Sequence, residues 1–158
     1  MPARRRFTAS LFAALLLPGN TPAAGPPVWK KVRYEGGTVE ARVNRFDWNT
    51  TVSIVSGAIE LRFGGQKTYR IPTSAVTRLS YGQKAYRRVA DMATLSVFLT
   101  PVALFGVLHK SKDHTIAIEF TAHDGKPGAV LLMVHKDNYR DLLLTLANLT
   151  GKTVENWP

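Results

Sequence analysis

"TIAIEFTAHDGKPGAVLLMVHKDNYRDLLLTLANLTG", Thr115 to Gly151, carries two periodicities in sequence order, and the fold turns on both. "TIAIEFTA" and "AVLLMVH" read as strands, joined at Asp124 and Gly125, two strong turn formers. Both faces of "AVLLMVH" are apolar, which predicts a strand covered on one side by a barrel interior and on the other by a packed helix. Tyr139, Leu142, Leu143, Leu146 and Leu149 then recur at helical spacing. Asp137 is placed to cap that helix and Gly151 to end it in a left-handed conformation. The leucine stripe reads as a packing face.

Upstream, period-two alternation dominates from Val28. "VWKKVRYE" meets Gly36 and Gly37 and then "TVEARVN", where Val39, Ala41 and Val43 alternate with polar residues; the paired glycines predict a tight hairpin. In "VSIVSGAIELRF", Ile59, Leu61 and Phe63 share a face opposite Glu60 and Arg62, with a turn or bulge at Gly57. "TYRI" is broken by Pro72 and Ser74 before "AVTRLSYG" resumes the strand pattern.

The run "YRIPTSAVTRLSYG", a hairpin, and then "VHKDNYRDLLLTLANLTG" resemble the bacterial pleckstrin-homology-like and GRAM-like domains over roughly Val28 to Gly151, with an I-P-x-x-x-V-x-x-L-x-Y spacing from Ile71 to Tyr81. The resemblance implies a mainly β fold: a bent antiparallel β-barrel of seven or eight strands with a C-terminal capping α-helix. Two features depart from the family: a strand too many at the start, and a long insert, residues 83–112, before the last two strands.

Within that insert lies "MATLSVFLTPVALFGVLH", Met92 to His109, without lysine, arginine or carboxylate. Its length is at the lower limit for crossing a bilayer. A single crossing would divide one sheet between two aqueous compartments, however, and no sheet is hydrogen-bonded through lipid. Pro101 and Gly106 divide the run into short apolar arms, so a helical insert, hairpin or kinked, is expected. Leu95, Val97, Phe98, Leu99, Val102, Leu104, Phe105, Val107 and Leu108 are the candidates for membrane or partner contact. Lys84, Arg87 and Arg88 before them, and Lys110 and Lys112 after, form a basic flank. Two readings stay open, entry into a membrane surface and enlargement of the core.

A second basic group, Lys30, Lys31 and Arg33 with Arg42 and Arg45, is similar in placement to the phosphoinositide-binding corner of pleckstrin-homology domains; an ordinary solvated face has the same composition. The formal charge of +10 favours anionic partners. Trp29, Tyr34, Phe46 and Trp48 read as core and corner residues, so nucleic acid is not expected.

Residues 1–24 have the layout of a secretory signal: a basic start with Arg4, Arg5 and Arg6, a short apolar run, and small residues ending near Ala23 and Ala24. Setting them aside leaves a single domain, residues 25–158, with a charge of +7 and an expected periplasmic or envelope location. The chain has no cysteine, so burial and hydrogen bonding must stabilise it.

Catalysis is not expected. There is no G-x-S-x-G elbow or phosphate loop, and Glu60 and Glu119 read as solvent-facing strand residues. His109, His114, His123 and His135 lack a zinc spacing, so no metal or other cofactor is expected. The sequence therefore supports an exported, non-enzymatic module that binds an anionic membrane surface or an envelope protein through its insert, or, in a second reading, carries a small lipid or hydrophobic ligand.

Overall fold

The β-rich pattern organises into one eight-stranded sheet in a computed structural model that describes residues 25–44, 46–64, 67–93 and 114–156. In chain order the elements are β1 (Val28–Gly37), β2 (Thr50–Val55), β3 (Ala58–Phe63), β4 (Lys67–Pro72), a short 3₁₀ turn (Thr73–Ala75), β5 (Val76–Tyr81), α1 (Gly82–Ala93), β6 (His114–Thr121), β7 (Pro127–Val134), α2 (Tyr139–Thr150) and β8 (Val154–Glu155). The strands lie in the order β4-β3-β2-β1-β7-β6-β5-β8. Neighbours are antiparallel except β5 and β8, which run parallel. The expected β-rich fold is present as one mixed eight-stranded sheet with β4 and β8 at its edges, and among the described residues no strand pairing closes it into the expected barrel.

Alternation decides which residues enter the core. Ile59, Leu61 and Phe63 of β3 are buried, whereas Glu60 and Arg62 point away. Ile116, Ile118 and Phe120 of β6, Val130, Leu132 and Val134 of β7, and Tyr139, Leu142, Leu143 and Leu146 of α2 join the same core. The helix therefore packs its predicted stripe inward, save Leu149, which is 45% exposed. Gly151 ends α2 in the left-handed region, at φ 66°, as its position predicted. Asp137 does not cap the helix. Asn138 occupies the cap position and donates instead to the Lys30 carbonyl, and Asp137 pairs with His135 at 3.1 Å.

The predicted hairpin at Gly36 and Gly37 is absent. Both glycines lie inside β1, and a Cβ on Gly37 would sit 2.1 Å from the Ala129 carbonyl oxygen of β7. Glycine is needed there for close strand approach and not for a turn. "TVEARVN" forms no strand: Val39 is buried and Ala41 and Val43 rest against the core, but the next strand is β2. A bulge at the start of β1, with Lys31 at φ 57°, brings Trp29 and Val32 onto one face although they are three apart. Trp29 Nε1 then donates to Asp141 Oδ2 at 2.7 Å, tying β1 to the first turn of α2.

β7 is buried on both faces, as expected, but the helix on its outer face is α1 and not α2. Its Val130, Leu132 and Val134 enter the main core, to which α2 also contributes, while Ala129 and Leu131, with Ala117 of β6, form a second cluster with Ala85 and Val89 of α1. The helix on the outer face is thus the opening of the insert. Small residues on the sheet, Ala117 and Ala129, let that helix approach closely.

Candidate functional site

The insert leaves from β5 and returns into β6, and those two strands are hydrogen-bonded neighbours. Tyr81 is paired with Ile116, Ser80 with Ala117 and Leu79 with Ile118, so the two roots of the insert stand side by side. Three rings fix this junction to α2. His114 and Tyr139 stack with centroids 3.5 Å apart, and Tyr81 lies 5.7 Å from Tyr139 and nearly parallel to it. The Tyr81 hydroxyl and His114 Nδ1 share a hydrogen bond, and Arg140 Nε donates to the Tyr139 hydroxyl at 2.8 Å. Burial, and then the neighbouring Tyr139, push the Tyr81 hydroxyl above its ordinary pKa, with Arg140 opposing.

α1 starts directly from this junction. Buried Ala85 and Val89, four apart, fasten one side of it to the sheet, and Lys84, Arg87 and Arg88 fall on the remaining surface. Arg87 is exposed. Lys84 and Arg88 converge instead on the carboxylate of Glu155 in β8, at 3.1 and 3.0 Å, and Arg78 of β5 reaches the same carboxylate at 3.2 Å. The Lys84 hydrogen bond, followed by the charges of Arg88, Lys84 and Arg78, holds the Glu155 carboxyl below its ordinary range, although some desolvation works the other way.

Arg78 also pairs with Glu119 at 3.4 Å. Glu119 is not solvent-facing as its strand pattern suggested; it is 7% exposed, because α1 lies over this side of the sheet. Its Oε1 and the hydroxyl of Ser80 are buried with no hydrogen-bond partner among the described residues. Glu60 is half-buried and held by Arg62 and Arg70, at 3.3 and 3.0 Å.

The other described basic candidates are divided among three settings. Arg33 pairs with Glu35 at 2.5 Å and lies over the Trp48 ring at 5.5 Å. Arg42 lines an open cleft of about 320 Å³ with Glu40, Phe63, Gly64 and Lys67, a lysine that the sequence pattern did not single out. Lys30 and Lys31 are exposed at the β1 bulge. Trp29 and Tyr34 are core residues, whereas Phe46 is 84% exposed. His123 borders a second cleft, beside Tyr69 and Phe120.

Several sequence candidates lie outside the described residues: the leader 1–24, Arg45, the apolar positions Leu95, Val97, Phe98, Leu99, Val102, Leu104, Phe105, Val107 and Leu108, and the distal flank Lys110 and Lys112. Among the described residues, no helix is long and apolar enough to cross a membrane. The inner side of the sheet is filled by side chains such as Ile59, Leu61, Ile71, Leu79 and Leu132, all fully buried.

No family model matches the chain, and no curated protein matches it. Among solved structures there is a match to a chain of the "Structure of the Spt16D Pob3N heterodimer", at 9% identity and a TM-score of 0.47. It covers 85% of this chain, which spans 60% of the length of that one.

Proposed function

We propose that this chain is an exported, non-enzymatic adhesion module of pleckstrin-homology-like architecture that attaches to an anionic membrane surface of the cell envelope through its apolar insert. The observation that carries this reading is the pairing of Tyr81 with Ile116. The chain that leaves β5 thus re-enters the same sheet on the neighbouring strand β6, and the uncharged run from Met92 to His109 between them is the part we assign to the membrane surface. The architecture is supported by antiparallel strands β1 to β7 followed by α2, whose leucines enter the sheet core.

The energetics favour a surface attachment over a crossing. A basic side chain near anionic lipid contributes about 1 kcal/mol, so exposed Arg87 supplies adhesion that weakens with salt, while Lys84 and Arg88 are partly neutralised by Glu155. Burial of a few leucine and phenylalanine side chains adds roughly 1.5–3 kcal/mol each when complete. Neither contribution alone anchors a domain; together they give reversible binding.

Co-sedimentation with vesicles containing phosphatidylglycerol tests the proposal. The mature chain should pellet with them, and a doubly substituted Leu104→Ser, Phe105→Ser variant with an unchanged circular dichroism spectrum should stay in the supernatant. Equal pelleting of the two folded proteins would contradict it.

A further inference from the structure

The convergence of Arg78, Lys84 and Arg88 on Glu155 has the form of an anion site already filled from within. Three cations from two elements, β5 and α1, meet the two oxygens of a single carboxylate at 3.0 to 3.2 Å. The elements that carry the cations are placed independently of that carboxylate. Arg78 is held from beneath by buried Glu119, and α1 is held on the sheet by Ala85 and Val89.

The carboxylate, by contrast, comes from the slightest strand of the sheet. β8 has two residues, both only half-buried, and it is joined to β5 by the pairs Leu79 with Val154 and Ser80 with Glu155. The cationic side chains are 33–49% exposed, so a solute can reach them once Glu155 moves aside.

Charge and geometry both select the ligand class. One carboxylate carries a single negative charge against three positive ones, and Glu119 offsets only part of the excess through Arg78. A phosphate monoester carries about −1.5 to −2 charge at neutral pH and three acceptor oxygens, so it satisfies three donors better than a carboxylate does. We propose that Arg78, Lys84 and Arg88 form a phosphate-monoester site, and that Glu155 is its built-in competitor. Terminal phosphate on a lipid head group and free phosphate share this chemistry. Only the lipid arm rests on the membrane reading given above.

Binding of inorganic phosphate to the mature chain and to Glu155→Gln, followed by calorimetry at constant ionic strength, tests the site. If the carboxylate occupies it most of the time, its removal should lower the dissociation constant about tenfold or more. Adding Arg88→Gln to that variant should abolish the gain. Equal dissociation constants for wild type and Glu155→Gln, or a gain that survives Arg88→Gln, would overturn the proposal.

A measurement on the wild type guards against a misfolded variant. Saturating phosphate should accelerate amide exchange at Val154 and Glu155 while leaving Leu79 protected, and unchanged exchange at β8 would also overturn it. Vesicles with phosphatidic acid, set against phosphatidylcholine alone, identify the source. A gain of Glu155→Gln on phosphatidic acid matching that on free phosphate assigns the site to lipid, and a gain on free phosphate alone assigns it to a soluble ligand. Failure of all vesicle binding with the phosphate gain intact would remove the membrane reading and keep the site.

Discussion

Replacing Gly37 with alanine should be among the most damaging single-methyl changes in the domain, for a reason unrelated to turns. The new Cβ would lie 2.1 Å from the Ala129 carbonyl oxygen and 2.9 Å from Val130 Cα, both backbone atoms that cannot rotate away. The residue also sits at φ 139°, a region that side chains rarely enter. Holding a non-glycine residue in such a conformation costs about 1–3 kcal/mol, and the forced separation of β1 from β7 costs a further 1–3 kcal/mol or so. The expected loss is about 2–6 kcal/mol, or a fall in melting temperature of roughly 8–24 °C. Gly125→Ala provides the contrast, since its φ is 78° but nothing lies within 4 Å of the added Cβ. It should cost only the backbone strain, about 1–2 kcal/mol. Urea melts of both variants measure the difference. Equal destabilisation would refute the argument that strand approach, and not local conformation, requires glycine at Gly37.

Two further outcomes follow from the packing and the charge cluster. Leu146→Ala should cost about 2–5 kcal/mol in the same melts, while Leu149→Lys should fall within about 0.5 kcal/mol of wild type, because only the first is buried. The pH dependence has a definite sign. The folded pKa of Glu155 lies below the unfolded value of 4.5, so its contribution is fully present above that pH and is lost as pH falls through the folded value. Wild type should therefore be more stable than Glu155→Gln at neutral pH, and thermal melts of the two should converge as the solution becomes strongly acid.

The parts of the fold that were legible in the sequence are those in which one face of a local element is buried. Ile59, Leu61 and Phe63 in β3, and Tyr139, Leu142, Leu143 and Leu146 in α2, follow directly from periods of two and 3.6 residues. Alternation reports burial, however, and not pairing. Val39, Ala41 and Val43 do face the core, yet their segment has no ladder partner, so the reading of a strand there went one step too far.

The placement of the sequence candidates was less legible, since long-range geometry decides it. Lys84 and Arg88 were visible as a basic flank, but their carboxylate partner is Glu155, in a two-residue strand that leaves no periodic trace. Glu119 alternates like an exposed strand residue and is buried because α1 folds back over it. Among the described side chains of that helix, Ala85 and Val89 are the ones buried, a signal too slight to read beside its basic residues.

Surface attachment requires the insert to return to the side from which it departs, and site-specific labelling tests this directly. The chain has no cysteine, so single cysteines at exposed Gln83 and Thr121 can be introduced without interference, with a third at Leu104 as a depth marker. After the protein is added to sealed anionic vesicles, a membrane-impermeant maleimide should label Gln83→Cys and Thr121→Cys alike from outside, while Leu104→Cys becomes protected on binding. Labelling of either flanking cysteine only after the vesicles are lysed would place the two strands in different compartments and contradict the account.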